Sequence, residues 1–294
     1  FLKEIEKIGS LSEEPMEDFT FFSSQLLSKY VSKKGYKVML SGMGADEIFG
    51  GYPRYRLIRY GKYFKYLFKI VMPILEKNSY MSKKVQRFKS YYEKKSYLSK
   101  HIALLSIFSK KEVENLLCHK TGLNKLEKKL SDIIDKCPYE SEIKKTIYLD
   151  IYGFLSHNFL VADKSSMQES LEVRVPLATK KLFELSLSLP EKKMMTISKP
   201  KKILRDFLIN YLPKKLVDRQ KTGFNPPLDS NINALGPDNI KKFLKSNNAY
   251  EILNENHTSK IVDEHFMGLK NNTFKIYRFL YFSSWYKANN YEKI

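Results

Sequence analysis

The fold of this chain is decided by a glycine-rich stretch that reads Leu40-Ser41-Gly42-Met43-Gly44-Ala45-Asp46-Glu47-Ile48-Phe49-Gly50-Gly51-Tyr52. Upstream of it, apolar residues at helical spacing predict a helix over 19–34, and Gly35 is expected to end that helix. Residues 36–40 then predict a short, largely buried strand. This order of helix, stop, strand and loop predicts part of an open parallel α/β sheet. Ligands of such sheets bind at the carboxyl ends of the strands, so chemistry is expected from Ser41 onward.

The loop after the predicted strand combines glycines with carboxylates. The glycines allow backbone amides to approach a ligand closely, and Asp46 and Glu47 place two carboxylates where Mg²⁺ could bridge to phosphate oxygens. The loop is neither a dinucleotide fingerprint, which needs a glycine where Glu47 stands, nor a P-loop, which needs Gly-Lys-Ser/Thr. An ordinary strand-to-helix turn with two exposed acids would explain the same residues, so the loop alone leaves both interpretations open.

Beyond Tyr55 the sequence predicts helices almost throughout. Ser109 and Glu112 form a capping-box pattern, an apolar stripe runs through 139–159, and a last apolar helix starts near Thr273. The predicted fold class is therefore α/β, with an incomplete open parallel sheet over about residues 1–55 and a large, mostly helical region over 56–294. Together these make one partial domain over 1–294.

The composition indicates a compact and strongly basic protein. The 294 residues are 43% hydrophobic and carry a formal net charge of +20. The charge comes mostly from lysines spread along the chain without a nucleic-acid-binding motif, so no specific nucleic-acid partner is expected. Two cysteines without pairing logic and the lack of a signal-peptide pattern predict a cytoplasmic protein. The five histidines show no zinc spacing.

The glycine-rich loop resembles the second conserved block of the asparagine synthetases and related amidotransferases of the ATP-pyrophosphatase fold. That block usually reads Ser-Gly-acid-Gly-small-Asp-Glu-hydrophobic-Phe-Gly-Gly-Tyr. Other segments match the family in the same order, namely Glu14-Pro15, Ala162-Asp163-Lys164-Ser165-Ser166-Met167, Leu171-Glu172-Val173-Arg174-Val175-Pro176, Lys201-Lys202-Ile203-Leu204-Arg205 and Lys221-Thr222-Gly223-Phe224-Asn225-Pro226-Pro227. Each segment is weak alone, but their order across nearly the whole chain is specific. The chain is identified as similar to the C-terminal synthetase domain of the glutamine-hydrolysing asparagine synthetase family.

The resemblance implies a reaction in two steps. A carboxylate attacks the α-phosphate of ATP to give an acyl-adenylate and pyrophosphate, and ammonia then displaces AMP to leave an amide. The nucleotide would be bound by Ser41, Gly42, Gly44 and Lys201. Asp46 would hold Mg²⁺, and Lys201 and Glu47 are the candidate catalytic residues, with Lys201 neutralising charge at the phosphates. The alternative for Lys201 is a solvated side chain in the lysine-rich run 199–202.

Two parts of the family pattern are missing from these residues. The pyrophosphate loop Ser-Gly-Gly-x-Asp-Ser does not occur, nor does a glutaminase domain, whose terminal nucleophile neither Cys118 nor Cys137 can replace. The resemblance therefore implies upstream glutaminase and nucleotide-loop segments as partners. It also predicts that this chain alone is catalytically inactive. A homodimer is left open.

Substrate identity is less constrained than the reaction type. Met43 stands where amide-forming relatives place an acid and a lactam-forming branch a tyrosine, and a thioether cannot transfer a proton. The stretch 155–161 lacks the Asp and Arg that synthetases of free aspartate use around that substrate. A small-molecule carboxylate is expected, aspartate by family resemblance alone, with a carboxylate on a sugar or cell-surface precursor as the competitor.

Three alternatives remain open from the sequence. A non-catalytic paralogue is favoured by Met43 but not by the retained polar set Asp46, Glu47 and Lys201. The segment 57–75 spaces cations among aromatic residues, as in helices that lie on membranes or grip nucleic acid, although a packed helix with a solvated lysine face is the favoured interpretation. Arg174 either pairs structurally with an acid such as Glu172 or Asp163, which is the favoured interpretation, or turns toward the site.

Overall fold

Helices make up most of the described chain. The computed structural model describes residues 1–16, 18–76, 89–119, 122–219 and 226–289. The α-helices are Leu2–Ser10, Thr20–Lys33, Ala45–Phe49, Pro53–Glu76, Tyr97–Leu105, Lys110–Leu116, Leu123–Asp135, Glu142–Asp150, Ser156–Met167, Lys180–Ser188, Glu191–Met194, Lys202–Leu208, Lys214–Val217, Leu228–Leu235, Pro237–Ser246, Glu255–Phe266 and Thr273–Ala288. A π-helical turn, Ile151–Leu155, continues one helix into the next, and a 3₁₀ turn spans Ala249–Glu251. The predicted α/β fold class is confirmed.

Two short strands form a parallel pair. Strand β1, Val38–Leu40, pairs with strand β2, Glu172–Arg174, with Met39 opposite Val173. The N–H of Ser41 also donates to the carbonyl oxygen of Arg174 at 2.8 Å, so the glycine-rich loop leaves the sheet at its carboxyl end. The parallel arrangement is as predicted, but the second strand comes from far downstream of the region assigned to the sheet.

The expectation of a largely buried first strand is wrong. Val38 is 42% exposed and Leu40 is 69% exposed. The preceding helix, Thr20–Lys33, buries Phe21, Gln25 and Ser28 and leaves much of its apolar stripe in solvent. This helix packs against Ser156–Met167 through a partly polar contact, in which Gln25 donates to Gln168 at 2.7 Å. The described chain therefore presents an apolar surface around β1, which includes Leu26, Tyr30, Val38 and Leu40 and which we call the β1 face.

The main core surrounds the last helix, as the sequence predicts. Ile276, Leu280 and Tyr281 of Thr273–Ala288 are fully buried, and Leu2–Ser10 packs along them through Ile5 and Ile8. Two smaller clusters lie beside the glycine-rich loop. These clusters fix the loop between the two strands and the helical region.

One local prediction outside the core, the capping box, is confirmed. Ser109 and Glu112 form the expected reciprocal capping box at the start of Lys110–Leu116. In the Pro53–Glu76 helix, Arg59 turns inward and donates to the carbonyl oxygen of Met195 at 2.7 Å. Lys62 and Lys65 are exposed, whereas the side chain of Lys69 lies outside the described part of the chain. A helix that is both long and apolar enough to cross a bilayer does not occur among the described residues.

Candidate active site at the glycine-rich loop

Glycine conformations shape the loop as the sequence suggests. Gly44 caps the short helix Ala45–Phe49 at its start with φ of 84°, and Gly50 ends it with φ of 71°, both in the left-handed region that glycine adopts without strain. Ile48 is fully buried among side chains of the Lys180–Ser188 and Lys202–Leu208 helices, including Leu182 and Ile203. The apolar side of the helix thus anchors the loop and fixes the direction of its two carboxylates.

Asp46 and Lys201 form the centre of the candidate site. The Lys201 Nζ lies 3.0 Å from Asp46 Oδ1, and both side chains are only partly exposed. Lys201 holds a φ of 52°, which is uncommon for a non-glycine residue and persists only when neighbouring structure fixes it. Gly51 is required for this contact, because a Cβ there would lie 1.9 Å from Asp46 Oδ1 and 2.6 Å from Lys201 Cε.

Glu47 lies beneath the loop rather than on its surface. It is 1% exposed, and its Oε1 accepts a hydrogen bond from the Tyr52 hydroxyl at 2.8 Å, with Asn158 Nδ2 at 3.5 Å. Burial raises the pKa of Glu47, although the Tyr52 hydrogen bond acts in the opposite direction. The structure therefore excludes the exposed-acid interpretation for Glu47 and gives it two named partners.

A buried ionic cluster supports this arrangement and was missed by sequence reasoning. Arg54 donates through Nη2 to Asp150 at 2.8 Å, and the Tyr55 hydroxyl donates to the same carboxylate at 2.6 Å. The guanidinium carbon of Arg54 lies 4.0 Å from the centroid of the Tyr52 ring and 4.7 Å from that of Phe154. Arg54 thereby ties the ring that holds Glu47 to a fully buried acid. The sequence signal that could have indicated this cluster is Asp150, an acid within the apolar stripe of 139–159.

His101 completes the buried side of this cluster. Its Nε2 lies 4.0 Å from Asp150 Oδ1, and burial lowers the pKa of its imidazole. A neutral imidazole is consistent with the charge balance, since Arg54 already neutralises Asp150. His101 is thus a structural neighbour of the site and does not face the loop 41–52.

The donor set around Asp46 fits Mg²⁺ held mainly by phosphate and water. The described residues contain no group of three or more His, Cys, Asp or Glu side chains that could enclose a metal. Mg²⁺ in nucleotide sites commonly uses one or two carboxylates and completes its coordination with phosphates and water. Asp46 supplies such a carboxylate beside a lysine, whereas Glu47 is already engaged below the loop.

The predicted site residues fall into three groups. The structure places Ser41, Gly42, Gly44, Asp46, Glu47 and Lys201 in or against one loop. Met43 lies in the same loop and donates its N–H to Ser41 Oγ at 3.3 Å. Arg174 pairs with Glu172 at 2.9 Å, so its structural interpretation is confirmed. Most of the block Lys221–Pro227 lies outside the described residues.

Comparisons with known proteins agree on one family. A family model described as asparagine synthase matches residues 1–287. Asparagine synthetase [glutamine-hydrolyzing] 1 of Bacillus subtilis is 25% identical over 293 residues, which cover 98% of this chain and 46% of that protein. A putative asparagine synthetase [glutamine-hydrolyzing] of Mycobacterium tuberculosis is 27% identical over 266 residues, covering 87% of this chain and 40% of that protein. The chain thus spans less than half the length of these relatives.

Proposed function

Because this chain belongs to the asparagine synthase family, we propose that it forms the amide-making part of an ATP-dependent, glutamine-using synthetase. The observation that carries the proposal is the contact of Asp46 with Lys201 at 3.0 Å, at the carboxyl end of β1. A carboxylate for a cation and an ammonium for phosphate oxygens are what phosphoryl chemistry requires, since positioning and charge neutralisation dominate its catalysis. A packing role alone would not require these two groups to meet beside a glycine loop.

In this proposal the loop binds ATP through its backbone and its two charged groups. Ser41, Gly42 and Gly44 contact the nucleotide, and Lys201 donates to phosphate oxygens. Asp46 would hold Mg²⁺, which supplies charge neutralisation at the phosphates when bound. The strained backbone of Lys201 aims its side chain inward, so the ammonium is already oriented before the nucleotide arrives. Such orientation in advance lowers the reorganisation needed during the reaction.

Glu47 is proposed as the second catalytic residue. Met43 brings no group that can exchange a proton, and Glu47 is the carboxylate next to Asp46 in the same short helix. The hydrogen bond from Tyr52 at 2.8 Å fixes the orientation of its carboxyl group. Glu47→Gln keeps the shape and the acceptor for Tyr52, so loss of amide formation in that variant would separate a chemical role from a structural one.

The β1 face supports the proposed partners. Leu26, Tyr30 and Leu40 are 54%, 63% and 69% exposed, an unusual amount of apolar side chain in solvent beside a sheet. We propose that the nucleotide-loop segment and the glutaminase act upstream of this chain, with the nucleotide-loop segment docked on the β1 face. Residues 1–294 alone would then be inactive. Covering the apolar strand with further sheet would also complete the pyrophosphate site that these residues lack.

Aspartate is the proposed substrate, with ammonia drawn from glutamine in the cytoplasm. The support is the name of the relatives, asparagine synthetase [glutamine-hydrolyzing], since the stretch 155–161 does not itself select aspartate. In that stretch Asn158 approaches Glu47, and His157 lies 3.7 Å from Asp18. A carboxylate on a sugar or a cell-surface precursor is the competitor that the substrate panel below must include.

The test is pyrophosphate release by the natural polypeptide that contains this chain. ATP, Mg²⁺ and glutamine are supplied with aspartate or with a panel of sugar acids, and products are identified by mass spectrometry. Lys201→Ala should lower release by about 10²–10³-fold. The matched control is Lys202→Ala, because Lys202 is the next residue and pairs instead with Asp206. Equal losses in both variants, or no release with any carboxylate, would refute the proposal.

A further inference from the structure

Six basic side chains line one cleft that the proposed reaction does not use. The cleft has a volume of about 890 Å³, and Tyr91, Tyr92 and Ser141 also contribute to its walls. We call it the basic cleft after its cations, which are Arg59, Lys62, Lys65, Lys94, Lys95 and Lys100. Of the described residues that line it, none belongs to the loop 41–52, and Lys201 is not among them. The basic cleft is therefore a separate feature of the surface.

The carboxylates among the described lining residues of the basic cleft are fewer than the cations, and two of them are already paired. Glu191 lies 3.6 Å from Arg59 and also accepts a hydrogen bond from Ser141. Glu93 lies 3.8 Å from Lys89, a residue outside the cleft lining. Glu142 is the third and last acid among the lining residues that the structure describes. Six cations thus face three carboxylates, and two of those three have partners.

Among the described residues, four lysines of the basic cleft have no acidic partner. Within the described part of the chain, Lys62, Lys65, Lys94 and Lys95 form no ion pair with a carboxylate. Lys62 and Lys65 come from the Pro53–Glu76 helix, whereas Lys94 and Lys95 come from the segment just before the Tyr97–Leu105 helix. Like charges that converge on a concave surface raise the local positive potential and attract anions.

We propose that the basic cleft binds a small molecule that carries two or more phosphate groups. Ammonium groups from two separate segments of the chain can each take a phosphate oxygen, which suits a ligand with several anionic groups better than a single carboxylate. The volume lies within the range of about 300–1,000 Å³ that small-molecule sites occupy. Tyr92 is partly exposed at the cleft and packs edge-on against the buried Tyr91 ring, with ring centroids 5.4 Å apart, so it offers an aromatic surface to the remainder of the ligand. The shared chemistry is phosphate, whether free in solution or on a lipid headgroup.

The first measurement is calorimetric titration with inorganic pyrophosphate in the absence of Mg²⁺. The natural polypeptide is used in a Lys201→Ala background, so that the site at the loop 41–52 contributes little. One cleft variant, Lys62→Gln/Lys65→Gln, changes the Pro53–Glu76 helix, and the other, Lys94→Gln/Lys95→Gln, changes the segment before the Tyr97–Leu105 helix. The matched control is Lys128→Gln/Lys129→Gln, which removes the same charge from exposed positions of the Leu123–Asp135 helix.

Because the lysines come from two segments, both cleft pairs are expected to affect pyrophosphate binding. Each cleft pair should weaken pyrophosphate binding by about tenfold or more, the control pair by less than about twofold, and affinity should fall between about 50 and 200 mM salt. Absence of saturable binding to both pyrophosphate and the vesicles described next overturns the proposal. So does an equal loss in the control pair, because binding would then follow net charge alone.

A second measurement distinguishes the sources of phosphate. Phosphatidylcholine vesicles that contain a phosphatidylinositol bisphosphate, whose headgroup carries several phosphate groups, are sedimented with the same variants, with and without pyrophosphate as competitor. Vesicle binding that both cleft pairs abolish and the control pair retains supports the proposal and identifies a lipid headgroup as the source. A single-stranded oligonucleotide that binds in a cleft-dependent way, while neither pyrophosphate nor the vesicles bind, overturns it in favour of a nucleic-acid surface.

Discussion

Gly51→Ala tests the geometry of the candidate site most directly. The added Cβ would lie 1.9 Å from Asp46 Oδ1, so this oxygen must retreat by about 1.5 Å to reach ordinary contact near 3.4 Å. Lys201 Cε, at 2.6 Å, must move as well. The backbone of Gly51 is not in the left-handed region, so the strain is confined to these two side chains. Overpacking of this kind costs about 1–3 kcal/mol, which for a chain of this length corresponds to a loss of about 2–5 °C in Tm.

The assay is thermal and urea unfolding of the variant beside two references. Gly42→Ala is the control within the same loop, because a Cβ there meets nothing within 4 Å, and its effect should stay within about 0.5 kcal/mol. The second reference is the Asp46→Ala/Lys201→Ala background, in which the obstructing atoms are gone and Gly51→Ala should be nearly neutral. A loss of the same size in both backgrounds would show that the side chains of Asp46 and Lys201 do not require Gly51, and would refute the reasoning.

Three further predictions concern buried or paired acids. Glu47→Gln should be more stable than the wild type in Mg²⁺-free urea unfolding as pH rises above 4.5, by about 1.4 kcal/mol for each unit by which the folded pKa of Glu47 is raised. The reason is that the Glu47 carboxyl ionises at lower pH in the unfolded chain than in the folded one. The same variant should lose amide formation. Burial favours a raised pKa for Glu112, but its hydrogen bond from Lys275 lowers that pKa; wild-type stability should fall as pH drops below 4.5, and Glu112→Gln should show less of this loss. Asp150→Ala should cost about 3–5 kcal/mol in chemical denaturation, since Arg54 would stay buried without its partner, and a loss below about 1 kcal/mol would contradict that account.

Features that depend only on residues close in sequence, such as helix ends, were predicted correctly. Gly35 ends its helix with φ of 86°, and the capping box joins Ser109 to Glu112 within one helical turn. Each of these interactions involves residues three or fewer positions apart or a single backbone conformation, so the sequence contains all the information that the structure uses.

Burial could not be predicted in the same way, because it depends on distant partners. The apolar run 36–40 indicates a buried strand, yet among the described residues β1 is paired on one edge only, by the downstream strand β2. Conversely, Gln25 is polar and 7% exposed, since the facing helix offers Gln168 as a partner. Asp150 belongs with these cases, because nothing near it in the sequence indicates that Arg54 and Tyr55 will satisfy its charge.

Two neighbouring lysines, Lys201 and Lys202, show which part of the candidate site could not be predicted from local sequence. In the run 199–202, residue identity does not separate Lys201 from Lys202, and only the resemblance selected Lys201. The structure supplies the physical difference: Lys202 begins a helix and pairs with Asp206 one turn later, as ordinary helical spacing allows. Lys201 precedes that helix with φ of 52°, a conformation that turns its side chain toward Asp46. Within the lysine run, Lys201 thus differs from Lys202 in its left-handed backbone and in its contact with Asp46. Such a backbone conformation is maintained only where the surrounding structure fixes it.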